Sequence, residues 1–143
     1  MAEQRRGDDV VINKAATIER CVARAREEYA KDPATFTSDH TRHDAAILNI
    51  QRACEAALDV GQHLIRREGL GVPQSSRDVF TLLYQAGWID APLSDVMKRM
   101  VGFRNIAVHD YQALQSAITV AIVTNHLNDF LAFSDVVLRH RED

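Results

Sequence analysis

The sequence has little punctuation. Six glycines and three prolines in 143 residues are too few for the many turns of an all-β sandwich. Long apolar runs are also missing. The longest, Ala117 to Val123 interrupted by Thr119, falls far short of the ~18 residues that suggest a membrane span. The opening Met1-Ala2-Glu3-Gln4-Arg5-Arg6-Gly7-Asp8-Asp9 carries charge with no apolar stretch behind it, so no secretory signal is expected. Neither sign of charge dominates. Seventeen Lys and Arg against twenty Asp and Glu leave −3, which excludes a general nucleic-acid coat but not a local basic site. Cys21 and Cys54 make neither a disulfide framework nor a zinc set, and a reducing cytoplasm is the expected setting.

What the chain does have is helical periodicity. With 46% hydrophobic and 26% charged residues, there is apolar material for one core. Val11, Ala15, Ile18, Val22, Ala25 and Tyr29 recur at spacings of three and four and predict a first helix, stopped at Lys31-Asp32-Pro33. A second is predicted from His43 to Glu68, striped by Ile47, Ile50, Cys54, Ala57, Gly61 and Leu64. Gly61 on that stripe leaves room for a neighbouring helix to come close. Ser75 or Ser76 caps a short third helix with Val79, Leu82, Leu83 and Ala86 inward, closed by Gly87. Asp90-Ala91-Pro92 opens a fourth, with Leu93, Val96, Met97, Met100 and Val101 as its apolar positions. A fifth is predicted from Asp110 as N-cap to about Arg139.

That fifth helix is apolar on more than one side. Leu114, Ile118, Ala121 and Leu131 mark one face, and Val120, Ile122, Val123, Phe130 and Phe133 spread around the rest. Such a helix needs a second burial surface, and another copy of the chain would supply one. The expectation is an all-α, antiparallel bundle of about five helices, a single domain over 1–143 with 1–9 as a flexible tail.

Chemistry concentrates where the fourth and fifth helices meet, in Arg104-Asn105-Ile106-Ala107-Val108-His109-Asp110-Tyr111. Arg104 is a permanent cation shaped to grip a phosphate through two parallel hydrogen bonds. His109 is of the side-chain type best suited to exchanging a proton in catalysis, and Tyr111 offers a hydroxyl. On one continuous helix Arg104 and His109 lie roughly 140° apart, at about 100° per residue. They converge only if the helix ends between them or if a second subunit brings its own pair. Asn105, one turn before His109, shares its face and is placed to orient the imidazole. The plainer alternatives are a histidine serving the last helix carbonyls and an arginine solvating a face.

This octapeptide, in its Arg-x4-His-x-Tyr form, resembles the signature of HepT toxins of the HEPN superfamily, from HepT–MntA toxin–antitoxin systems. The stretches Asn49-Ile50-Gln51-Arg52-Ala53-Cys54-Glu55-Ala56, Gly71-Val72-Pro73-Gln74-Ser75-Ser76-Arg77-Asp78 and Pro92-Leu93-Ser94-Asp95 resemble the same family in the same order, so the likeness runs from about Val11 to Val137. It implies a homodimeric, HEPN-like endoribonuclease that needs no metal and no cofactor, with Arg104 and His109 catalytic in a dimer-interface cleft and Asn105 supporting. It also implies a nucleotidyltransferase antitoxin of the MntA kind, which transfers AMP from Mg-ATP to Tyr111. RNA is then the substrate; DNA, which lacks the 2′-hydroxyl, is spared, and no membrane is involved. Lys98 and Arg99, a turn or two before the motif, either guide the RNA backbone into the cleft or simply solvate a helix face. The rival readings are a non-catalytic partner- or nucleotide-binding module, and the antidote to a toxic nucleotidyltransferase.

Other candidates carry less. His40-Thr41-Arg42-His43 has two histidines three apart without a further ligand set, and His63, His126 and His140 are scattered. There is no Walker loop and no Gly-x-Ser-x-Gly elbow. Trp88, after a helix-ending glycine, reads as a hydrophobic plug. Glu55 either orients the motif arginine or faces solvent.

Overall fold

Two long helices, α1 (Ala2–Ala30) and α2 (His40–Glu68), are followed by α3 (Ser76–Gln85), α4 (Ala91–His109), α5 (Ser116–Ala121) and α6 (Leu127–His140). The computed structural model describes the backbone of residues 2–140 and the side chains of residues 9–140. A π-helical turn, Ile122–His126, joins α5 to α6 without a break, so the last three pieces form one rod and the bundle has five. Among the described residues no strand forms. Helix α1 takes in residues 2–9, the segment set apart as a tail on sequence.

Local chemistry sets the ends. Asp39 accepts a hydrogen bond from the Arg42 N–H at 3.2 Å and starts α2 three residues earlier than periodicity predicts. Gly69 ends it in the left-handed region at φ 64°, where Leu70 N–H reaches back to the Ile65 carbonyl at 3.0 Å, the usual glycine termination. Of the two candidate caps of α3, Ser75 is the one used: its hydroxyl accepts from Asp78 N–H at 3.1 Å. Asp90 caps α4 by accepting from Leu93 N–H at 2.9 Å.

The helices run antiparallel. Lys14 early in α1 meets Asp59 late in α2 at 3.0 Å. Ser134 of α6 reaches the Ala15 carbonyl at 3.5 Å, while Arg26 further along α1 bonds Asn128 near the start of α6. The core is continuous, built around Ile18, Ile47, Ile50, Leu64, Phe80, Leu83, Met97, Leu127, Phe130 and Phe133, all essentially inaccessible. At Gly61 the approach of α3 is as close as the sequence implies. A Cβ there would sit 2.4 Å from Val79 Cγ1 and 3.3 Å from Leu83 Cδ1.

Two further expectations change. Ala86 is exposed, because it lies at the C-cap of α3 rather than on its inner stripe. The last rod does not start at Asp110. That residue ends α4, its side chain caps nothing, and a 3₁₀ turn, Tyr111–Ala113, intervenes before α5 begins at Ser116. The π turn also accounts for part of the broad apolar coverage. An extra residue in one turn rotates the stripe, so Ile122, Val123, Leu127, Phe130 and Phe133 all reach the core. Ile118 does not; it stays 46% exposed.

Candidate functional site

Helix α4 is unbroken from Ala91 through His109. Of the two routes by which Arg104 and His109 could meet, the one requiring the helix to end between them is therefore closed. Arg104 lies on the inward side of α4, on the same side as Met97 and Met100, half-buried near Cys54 of α2. His109 is exposed on the outer side at the last turn. Within one protomer the two groups stay apart.

Arg104 is under-used by its own chain. One Nη donates to the Ser76 hydroxyl at 3.0 Å, the buried Nε–H has no hydrogen-bond partner, and no carboxylate pairs with the guanidinium among the described residues. A guanidinium carries five N–H donors, and leaving them unmet where water is scarce costs free energy. Ser76 is the first residue of α3, so the cation also faces the positive end of that helix dipole. An arriving anion would relieve both conditions. Burial drives the neighbouring Cys54 thiol up to about 12, with Arg104 pulling the other way.

Glu55 does not orient this arginine. Its carboxylate accepts from the Gln51 amide at 3.2 Å instead. Asn105 is half-buried on the His109 side of α4, but no hydrogen bond joins it to the imidazole among the described contacts. Lys98 lies three turns before His109 on nearly the same line of the helix, about 16 Å away along the axis.

Arg99 faces elsewhere. It lines a groove of about 620 Å³ between α4 and α5, together with Arg77, Phe103, Ile106, Leu114 and Ile118. Neither Arg77 nor Arg99 meets a carboxylate among the described residues. No local sequence pattern marks Arg77 for this groove; its Nη2 lies over Gly102, 2.9 Å from where a Cβ there would be.

Tyr111 is 43% exposed, and its hydroxyl donates to the Asp44 carboxylate of α2. Burial first, and then the Asp44 hydrogen bond and charge, push the phenol up to about 12. Asp44 was also missed; 67 residues separate the partners, and no local pattern marks such a pair. His43, one residue earlier, packs on Phe36 with ring centroids 5.3 Å apart, and burial lowers its pKa. His126 pairs with Asp129 at 3.0 Å, and Trp88 is buried with its ring stacked on His140 at 3.6 Å. Among the described residues no three His, Cys, Asp or Glu side chains gather as a metal would require. No helix among them is long and apolar enough to cross a membrane.

Known proteins match this chain closely in sequence and fold. A family model described as ribonuclease HepT-like matches residues 18–137. The mRNA nuclease HepT of Shewanella oneidensis is 53% identical over 130 residues, covering 91% of this chain and 97% of that protein. A crystal structure of a toxin–antitoxin with AMP-PNP superposes with a TM-score of 0.87 at 53% identity, covering 90% of this chain and 97% of that one. Another, of the tri-AMPylated Shewanella oneidensis HEPN toxin in complex with MNT antitoxin, gives 0.86 at 53% identity, covering 90% and 96%. Fold, motif and these matches define an endoribonuclease of the HEPN toxin–antitoxin class. The chain belongs to the ribonuclease HepT-like family.

Proposed function

We propose that two copies of this chain form the working enzyme, which cuts RNA without a metal ion and is silenced when a nucleotidyltransferase antitoxin transfers AMP from Mg-ATP to Tyr111. The unbroken course of α4 through His109 carries this reading. With Arg104 and His109 held apart in one protomer, a site that uses both needs a second chain. Ile106, Val108 and Ile118, all large, apolar and exposed around the end of α4 and the start of α5, offer the surface for it.

The chemistry follows from what two such chains bring together. An imidazole takes the proton of the RNA 2′-hydroxyl, whose oxygen attacks the adjacent phosphorus. The P–O5′ bond breaks, and the leaving oxygen receives a proton from the second imidazole. A positioned acid or base contributes ~10²–10⁴-fold. Arg104, with donors to spare, neutralises the charge that develops on the phosphorane oxygens, worth ~10²–10³-fold. Asn105 supports His109 from the same face, and Lys98, Arg99 and Arg77 draw in the backbone. Because the Shewanella relative is an mRNA nuclease, mRNA is the first substrate to try. The setting is the cytoplasm, which suits two cysteines held as free thiols.

The test is cleavage of matched RNA and DNA by unmodified protein in excess EDTA, beside Arg104→Ala and His109→Ala. Cleavage of RNA alone, leaving 2′,3′-cyclic phosphate ends and lost in both variants, is the expected result. Intact RNA, with Tyr111 shown by mass to be unmodified, would reject it.

A further inference from the structure

The contact between Tyr111 and Asp44 has a direction that matters chemically. The phenol donates and the carboxylate accepts, and both side chains are open to solvent. Asp44 sits in the first turns of α2, while Tyr111 opens the 3₁₀ turn after α4. The hydroxyl is thus engaged by an acceptor from a different helix.

We propose that Asp44 is the general base for AMP transfer to Tyr111, taking the phenolic proton as the oxygen attacks. This rests on the reading of Tyr111 as the acceptor. Tyr111 Oη forms a bond to the α-phosphorus of Mg-ATP, and the bond from that phosphorus to the bridging oxygen of the β-phosphate breaks. Pyrophosphate leaves with the electron pair. The Oη proton passes to the Asp44 carboxylate and from there, at an exposed position, to water. A phenol held up to about 12 keeps its proton until the attack itself, so a base already in contact is what the step requires. The product also ends the contact. An aryl phosphodiester oxygen has no proton to donate, and its phosphate faces a carboxylate, so Tyr111 is released from α2 as it is modified.

The experiment follows the first AMP added to full-length chain by its nucleotidyltransferase antitoxin and Mg-ATP, read by intact mass against time. Asp44→Asn keeps an oxygen that accepts the hydroxyl hydrogen bond but gives up most of the basicity. The expected result is a kcat for transfer lower by about 100-fold, with KM for Mg-ATP unchanged and part of the loss recovered in Asp44→Glu. Because position 44 is exposed, both variants should melt with the wild type, and thermal melts run alongside confirm it. Wild-type kcat in Asp44→Asn overturns the assignment and reduces Asp44 to a tether. Tyr111→Phe separates the two levels of the argument: if it still takes AMP at the wild-type rate, the acceptor reading itself fails, whatever Asp44 does.

Discussion

Helix α2 and the corner from Arg104 to Ser116 differ in almost every physical respect. Helix α2 has a side-chain cap at one end, a left-handed glycine at the other, and an apolar stripe sealed against α1, α3 and α4. At the corner the polar groups outnumber their partners. His109, Asp110 and Tyr111 are exposed, Arg104 has a single hydrogen bond among the described residues, and Asp110 caps nothing there. One region is organised by burial and the other by chemistry still to be met. Stability and activity should therefore separate along this line.

The largest expected effect tests that separation directly. His109→Ala removes an exposed side chain at a helix end, so the thermal midpoint should barely move. RNA cleavage should fall by about 10²–10⁴-fold, equivalent to roughly 3–5 kcal/mol of barrier. Melting curves and initial cleavage rates on one preparation check both halves. A large fall in midpoint would mean that the corner is part of the core after all.

The opposite result is expected from Gly61→Ala. Alanine favours a helix by about 1 kcal/mol over glycine. Here the new methyl would lie 2.4 Å from Val79 Cγ1, a β-branched side chain with one preferred helical rotamer and no exposure. Overpacking of this kind costs about 1–3 kcal/mol, so the steric term wins. Denaturant melts should show a net loss of stability, with cleavage per folded molecule retained.

Helix α3 lies between these two regions. Ser75 caps it, and Ser76, the next residue, holds Arg104. Ser75→Ala should cost about 1 kcal/mol. Because the first turn would loosen, cleavage should also fall by a few-fold at most. Denaturant melts and cleavage rates together read out a substitution that touches stability and site at once.

The same divide explains what could be read in advance. The α2 stripe, the caps at Ser75 and Asp90, the plug at Trp88 and the close approach at Gly61 each express a local rule: a period, a capping hydroxyl, a missing Cβ. Arg104, His109 and Tyr111 were visible because reactive residue types crowd into eight positions and resemble a family signature. The partners of those residues were not visible. Ser76 and Asp44 come from other helices, and Glu55, the partner considered for Arg104, turned instead to Gln51 one turn away. The start of the last rod was misplaced for a related reason. Asp110 has the right side chain for a cap, but α4 runs through to His109 and Tyr111 is held by Asp44, so a contact 67 residues away in sequence accompanies a 3₁₀ turn where local preference favours a helix.

The smallest effect belongs to that contact, and titration sharpens it. Tyr111 is raised from an ordinary 10.0 to about 12, by burial first and then by the Asp44 hydrogen bond and charge. A pKa raised by folding means that the fold favours the neutral phenol. Its contribution is complete below pH 10 and is lost as pH rises through 12. The phenolate absorbance of the wild type, less that of Tyr111→Phe, should therefore show one group ionising near pH 12. In Asp44→Asn the same difference should move part of the way back towards 10, because burial persists when the carboxylate is gone. A Tyr111 that titrates at its ordinary value in the wild type would mean that the contact does not hold in solution, leaving the 3₁₀ turn without its side-chain link to α2.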